Sequence, residues 1–426
     1  MQERLQAAIA DRREDLVALT VDLIRFPTVN PPGDAYRPCT EYLAKRLAKS
    51  GFETKYFVAE GEPGHTQRYP RVNVVGRREG KRPGPTVHFN SHIDVVEAGH
   101  GWSYPPFEGT IKDGKIFGRG ACDMKGGLAT SIIAAEAFIA VFPDYPGTIE
   151  ISGTVDEESG GFGGVAYLAK KGLFSKPRVD HVIIPEPLNK DRICLGHRGV
   201  WWAEIETHGQ IAHGSMPFLG DCAVRHMGAV INAFEDQLFP ALDSRTTATP
   251  VVPEGARRST VNFNAIHGGQ TDEFTGLPSP NVPDSCKLTL DRRFVQEESL
   301  DEVKSEIVGI LDELKATRNK FDYTLRDIME VLPTMTERDA PVVKAVEAAI
   351  RQEFRREPDY VISPGTYDQK HVARLGHLHD CIAYGPGILD LAHQPDEWIG
   401  IDDMVQSANV MANAINALLT GGLEAA

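Results

Sequence analysis

Thr86-Val87-His88-Phe89-Asn90-Ser91-His92-Ile93-Asp94 reads as a short β-rich run that ends directly in a His-x-Asp triplet. The run at 85–90 is one of a series. Before it, β-rich runs at 53–59 and 71–77 follow two helical segments, 3–25 and about 36–50, which stop at Pro27 and Gly51. After it, the pattern predicts an alanine-rich helix at 125–142, a strand at 147–155, a helix at 163–172 and a strand at 180–185. Strand and helix alternate, and that order predicts a mostly parallel central sheet covered on both faces.

Beyond Gly199 the character changes. Val200-Trp201-Trp202-Ala203-Glu204-Ile205-Glu206-Thr207 alternates as a half-buried strand does. A helix at about 221–236, a Pro/Gly-rich stretch at 239–258, strands at 260–267 and 286–294, a helix at 299–316 and a strand at 322–331 follow. That β-α-β-β-α-β order is a split-βαβ sandwich. From 338 the alternation resumes and ends in a helix at 403–419. A chain of 426 residues exceeds one usual hydrophobic core. The simplest division is an α/β domain of 1–198 and 332–426, interrupted by a smaller α+β domain at 199–331.

Composition excludes some classes of function. Forty-five basic against 60 acidic residues give a formal charge of −15, unfavourable for nucleic acid or an anionic membrane. The six cysteines are widely spaced with no C-x-x-C pair, which argues against a disulfide scaffold or a thiolate zinc site. The N-terminus lacks the apolar stretch of a signal peptide, and no segment reads as a membrane span. The expectation is a cytoplasmic protein.

Open α/β sheets bind ligands beyond the carboxyl ends of their strands, and scattered His, Asp and Glu residues sit at such ends. In His92-Ile93-Asp94, i and i+2 share a face. His92 can then bind a metal while Asp94 accepts from its other ring nitrogen; an ordinary surface turn is the competing reading. Asp123 lies in Gly118-Arg119-Gly120-Ala121-Cys122-Asp123-Met124-Lys125-Gly126-Gly127. The flanking glycines let the backbone turn sharply and approach a ligand, although a helix entry with Asp123 as N-cap fits the same residues.

Asp156-Glu157-Glu158 follows the strand 147–155. Adjacent carboxylates repel unless a cation or proton neutralises them. In an extended loop the two glutamates point apart, so one can hold a metal while its neighbour faces water; a solvated acidic loop is the alternative. Glu186 stands between Pro185 and Pro187, and His393 lies far off in Leu391-Ala392-His393-Gln394-Pro395-Asp396-Glu397. Together these supply two imidazoles and three carboxylates without a thiolate, a set that suits zinc or cobalt activating a water. One carboxylate bridging two ions sets them about 3.5–4 Å apart, the two-metal arrangement for hydrolysis.

The longer motifs carry a family resemblance. Thr28-Val29-Asn30-Pro31-Pro32-Gly33, Trp102-Ser103-Tyr104-Pro105-Pro106-Phe107-Glu108-Gly109, the Gly118–Gly127 block and the segment around His393 are similar to the M20 metallopeptidases. That family includes acetylornithine deacetylase, succinyl-diaminopimelate desuccinylase, aminoacylase and glutamate carboxypeptidase, and the likeness runs nearly end to end. It implies a zinc-peptidase-like catalytic domain with an inserted ferredoxin-like dimerisation (lid) domain. It further implies one zinc on His92, Asp123 and Glu186 and another on Asp123, Glu158 and His393. Asp123 would bridge, Asp94 orient His92, and Glu157 serve as general base. The peptide Asp123–Met124 would be cis.

The same resemblance assigns His213, in Gly209-Gln210-Ile211-Ala212-His213-Gly214-Ser215-Met216-Pro217, as an oxyanion donor supplied by a partner subunit. A homodimer through the inserted domain follows from that. Substrate contacts would fall to Asn281, Arg293, Lys370 and Gly387. Two positions depart from the family pattern. Lys370 stands where the family often has arginine, and lysine is a point charge rather than a planar fork; Ser91 replaces the glycine usual before the metal histidine. The implied reaction is removal of an acetyl, succinyl or formyl group from an amino-acid-like substrate by two-metal-activated water. A dipeptidase or carboxypeptidase of the family, an N-carbamoyl hydrolase and a non-catalytic binding protein are the alternatives. Glu157 argues against the last, since a binder needs no base beside its metals.

Overall fold

The computed structural model describes residues 2–269 and 279–421. The chain forms two compact units, one of Met1–Gly196, Met335–Val361 and Tyr367–Ala426, the other of His197–Thr334 and Ile362–Thr366. The expected boundaries at 198/199 and 331/332 fall within a few residues of these. What sequence order could not reveal is the assignment of Ile362–Thr366 to the second unit. There Ile362 pairs with Val251 and donates to the Pro250 carbonyl at 2.9 Å.

In the first unit the central sheet is mixed, which corrects the expectation of a mostly parallel one. Through seven of its nine strands the order runs Glu53–Val58, Val72–Glu79, Pro146–Thr154, Arg82–His92, His181–Ile184, Cys381–Ala383, Arg192–His197. Among these seven the middle is parallel: Arg82–His92 pairs in parallel with Pro146–Thr154 and His181–Ile184, and His181–Ile184 with Cys381–Ala383. The flanking pairs are antiparallel. The reason is connection length. Helical crossovers enforce parallel pairing only where they intervene, and Glu53–Val58 is joined to Val72–Glu79 by a loop alone.

Two helices, Gln2–Ala10 and Arg13–Ile24, stand where a single one at 3–25 was expected. Leu5, Ile9, Leu16, Leu19 and Leu23 are buried nonetheless. The break falls at exposed polar residues that carry no apolar signal, and the Arg12 side chain donates to the Ala8 carbonyl at the turn.

The helix Gly126–Val141 is buried along nearly its whole length, with Leu128, Ile132, Ile133 and Phe138 inaccessible to solvent. A helix apolar on every side needs cover on every side. It packs on the helices Gln2–Ala10, Arg13–Ile24 and Ile401–Thr420 and on the sheet. The segment Ala121–Val141 is in fact long and apolar enough to cross a membrane, so the reading that no stretch qualifies was incorrect; here that apolarity fills the protein's core. A small antiparallel sheet, Trp398–Gly400, Lys115–Phe117 and Thr110–Lys112, ties the C-terminal region to the segment leading into Asp123.

The second unit is a four-stranded antiparallel sheet in the order Thr260–Gly268, Ser285–Phe294, Gly199–His208, Asp322–Val331. The helices Ala223–Ala233 and Leu300–Thr317 pack on one face, over Trp201, Ala203, Ile205, Leu288 and Leu290. Met227 and Val230 of the helix Ala223–Ala233, with Phe234 just after it, are buried in this core, while Val224 is left exposed. Ser299 and Glu302 form a reciprocal cap at the start of Leu300–Thr317.

Candidate metal centre

Parallel pairing decides where the chemistry collects. It sets His92 opposite Thr154, Phe89 opposite Ile183, and Ile382 opposite Ile183. His92, the turn Glu157–Ser159, Glu186 and the loop 384–387 therefore all leave the sheet at the carboxyl ends of its parallel strands, where such sheets bind ligands.

Two groups of donors form there, His92 with Asp123 and Glu186, and Asp123 with Glu158 and His393, each with its ligand atoms within 4.8 Å of one another. His92 Nε2 lies 3.1 Å from Asp123 Oδ1 and 3.9 Å from Glu186 Oε1. His393 Nε2 lies 3.6 Å from Asp123 Oδ2 and 3.1 Å from Glu158 Oε2. Asp123 thus turns one oxygen to each group. The His92 side chain is 1% exposed and that of His393 48% exposed, so one group is deep and the other faces the opening.

The electrostatics fit cations. Burial and the nearby Asp123 charge hold the Glu186 carboxyl well above its usual range. Burial pushes Glu158 up to about 7 against a hydrogen bond from His393. Burial opposes charge on His92, yet its carboxylate neighbours win and raise it well above the usual imidazole value. The Glu158 hydrogen bond lifts His393 to about 9. Asp123 is lowered because the two histidines outweigh its own burial. Converging buried carboxylates that retain protons are what a divalent ion would relieve. Cys122, beside Asp123, turns its thiol to the Ile388 carbonyl instead, leaving both groups free of thiolate.

Local structure explains how each donor is held. Asp123 is no N-cap: the helix begins after Lys125 without a side-chain cap, and the Asp123–Met124 peptide is cis. At Gly127 a Cβ would stand 2.0 Å from the Pro185 carbonyl, so glycine there admits the neighbouring loop rather than a ligand. The glutamates do not lie on an extended loop as expected. Glu157–Ser159 is a 3₁₀ turn entered through Asp156 at φ 65°. The turn itself splays the side chains, sending Glu158 to His393 and Glu157 to Lys370 Nζ at 3.4 Å.

Asp94 departs in detail from its expected part. His92 Nδ1 meets the Asp94 main-chain carbonyl at 3.0 Å, and the carboxylate stands farther off at 3.5 Å. That carboxylate instead accepts from the backbone N–H of Glu157 and Glu158, at 3.2 and 3.1 Å, and from Asn30 at 3.1 Å. Lys370 is buried beside Glu157, and Gly387 is pressed against the Cys122 carbonyl, where a Cβ would come within 2.9 Å.

Three other predicted residues belong to the second unit. His213 and Asn281 are brought together as an antiparallel bridge pair, and Asn281 donates to Ser279 Oγ at 2.7 Å. Arg293 is engaged by Asp291 through two bonds of 2.6 and 2.9 Å.

Sequence reasoning missed several supports. Asp368 is buried, accepts from Asn90 at 3.1 Å, and is held up to about 7 by burial and then by Glu157, against the pull of Lys370. Arg71 pairs with Asp156 at 3.0 Å in the interior, anchoring the glutamate turn from behind. Arg119 pairs with Glu397 at 2.6 Å. The signal for Arg119 was its place inside the Gly118–Gly127 block, and for Asp368 its place two residues before Lys370.

Comparison with known proteins gives the family. The family model described as Peptidase family M20/M25/M40 matches residues 88–417. Over 411 residues the chain is 29% identical to a succinyl-diaminopimelate desuccinylase of Marinobacter nauticus, covering 94% of this chain and 98% of that protein. Human carnosine dipeptidase 1 shares the fold with a TM-score of 0.76 at 20% identity, covering 98% of this chain and 99% of the other. The metallo-carboxypeptidase Sso-CP2 of Sulfolobus solfataricus does so at 0.74 and 18%, covering 95% and 99%. The chain belongs to peptidase family M20/M25/M40 and is a metal-dependent hydrolase of amide bonds.

Proposed function

We propose that this protein removes an acyl group from the nitrogen of an amino-acid-like substrate, with succinyl the leading candidate from the name of its 29%-identical relative. The observation that carries the reading is two donor groups sharing Asp123, with Glu157 next in sequence to the ligand Glu158. His92, Asp123 and Glu186 would hold one divalent ion, and Asp123, Glu158 and His393 the other, with zinc favoured and cobalt possible from the all-imidazole and carboxylate set. When bound, such a pair lowers the pKa of a water and polarises the scissile carbonyl.

The chain's own groups supply the remainder. Glu157 takes a proton from the attacking water and returns it to the departing amine. Lys370, 3.4 Å from Glu157, steadies that carboxylate. His213 donates to the growing oxyanion from a partner subunit. In support, the Ser215 backbone N–H points at His213 Nδ1 from 3.2 Å, which makes Nδ1 the acceptor and leaves the proton on Nε2. A homodimer through the second unit is supported by exposed Ile211, Met216, Phe218, Leu219, Val224 and Ile266 on that unit. Asn281, Arg293 and Gly387 complete the substrate contacts in this reading. All six cysteines are free thiols, in keeping with a reducing cytoplasm.

The test is an amine-release assay over succinyl, acetyl, formyl and carbamoyl amino acids and dipeptides, before and after chelation and after zinc or cobalt is restored. Metal-restored cleavage of the succinyl substrate above the rest is expected. A preference for dipeptides or carbamoyl compounds moves the substrate assignment to those classes. No turnover with any substrate, metals bound, would sink the catalytic reading.

A further inference from the structure

We propose, resting on the two-ion reading above, that the buried Arg119–Glu397 ion pair is the positioning device of the metal centre. It fixes the main chain at Asp123, which both donor groups share, and at His393, which completes the outer one.

The argument begins with the small sheet. Trp398 pairs with Phe117 and Ile399 with Ile116, so the residue just before one strand and the second residue after the other meet at the same end. Those residues are Glu397 and Arg119, 1% and 2% exposed, with Glu397 Oε2 at 2.6 Å from Arg119 Nη1. The Gly118 N–H also donates to the Glu397 main-chain carbonyl at 2.9 Å, continuing the ladder past its last pair.

Each partner also reaches the donor-bearing segments. Glu397 Oε1 accepts from the backbone N–H of Cys122 at 2.8 Å and of Asp123 at 3.1 Å. Arg119 Nη2 donates to the carbonyls of His393, Glu97 and Ala98, each at 3.2 Å, and Nη1 reaches the Gln394 carbonyl at 3.3 Å. The guanidinium lies over the Trp102 ring at 5.2 Å. His393 sits at φ 64°, a left-handed conformation that a non-glycine residue keeps only when its surroundings enforce it. Arg119 grips the carbonyl of that very residue. Neither Arg119 nor Glu397 is part of a donor group; they act through the backbone.

A pair of this kind also serves plain stability, so the test must separate the two roles. Wild type, Glu397→Gln and Arg119→Lys are stripped by chelator dialysis and titrated with Co(II). Calorimetry and cobalt visible absorption report binding, while circular dichroism and Tm report the metal-free fold. Arg245→Lys, which disturbs the ion pairs to Glu298 and Glu306 in the second unit, is the control. Glu397→Gln and Arg119→Lys should bind cobalt about 10–100-fold more weakly, with an altered absorption band, while the control stays within about twofold of wild type. Arg119→Lys carries the test if Glu397→Gln does not fold. Folded variants with wild-type affinity, or ones that lose Tm alone, overturn the proposal. A wild type that takes up no cobalt overturns the two-ion reading, and the proposal with it; that outcome is told apart by the wild-type titration alone.

Discussion

Asp94 has no solvent exposure, yet its carboxylate ends three donors: the backbone N–H groups of Glu157 and Glu158 and the amide of Asn30. Removing it strands those donors, and an unmatched buried group costs about 1–3 kcal/mol. Asp94→Ala should therefore lower stability by that order in urea unfolding and reduce kcat, because both glutamates lose their backbone anchor. Asp94→Asn, which keeps one acceptor oxygen, should fall between. Equal stability for Asp94→Ala and wild type would show that the anchor is not made in solution. Glu157 is a different case, since its side chain supports nothing but Lys370 among the described residues. Glu157→Gln should leave the fold and the bound metal unchanged while kcat drops about 10²–10⁴-fold, the usual range for losing a general base. Metal analysis beside a turnover assay reads both. Retained kcat would remove Glu157 from that role.

The helix Gly126–Val141 shows how one element carries both core and site. Its start lies three residues after Asp123, and Phe138 near its end is fully buried against Phe142 and Tyr145. Phe138→Ala should cost about 3–5 kcal/mol in chemical denaturation, as large-to-small core changes do, and a loss under about 1 kcal/mol would mean the site collapses around the gap. This helix was legible because a long run of Ala, Ile, Leu and Phe between glycines has few other readings. The donors were legible for a related reason: each follows a strand with a clear β pattern, so His92, Glu158 and Glu186 could be placed at strand ends without knowing the sheet order. Strand direction at the sheet's flanks was not legible, because Val72–Glu79 looks the same whether its neighbours run with or against it. The small sheet at Lys115–Phe117 was missed for its three-residue length, too short for any periodicity to register. For Asp94 a two-residue spacing gives a shared face but not how main chain and side chain divide the contact to His92, 3.0 Å from the carbonyl and 3.5 Å from the carboxylate. Lys370 was read as a substrate contact, and only its burial against Glu157 shows that it first answers to a neighbouring charge.

Over the whole molecule, protons and ions compete for the same donors, and that competition fixes a pH dependence with a definite sign. His393 is raised from 6.5 to about 9, chiefly by its hydrogen bond to Glu158. A group whose folded pKa is raised stabilises the fold fully below its unfolded value and loses that contribution as pH climbs through the folded one. Glu158, lifted by burial from 4.5 to about 7, has the same sign over a lower window. The formal charge of −15 adds repulsion as acidic groups ionise. The metal-free protein should therefore lose Tm steadily between about pH 4.5 and 9, from the unfolded value of Glu158 to the folded value of His393. Bound ions reverse the trend, because ligands must shed protons to coordinate and affinity rises with pH until they are gone. The gap in Tm between the ion-loaded and metal-free forms, at fixed zinc, should widen over the same interval, and each ion bound should release protons measurable in an unbuffered titration at the acid end. A gap that stays constant over that interval, with no proton release, would mean that the ions stabilise the protein elsewhere than at His393 and Glu158.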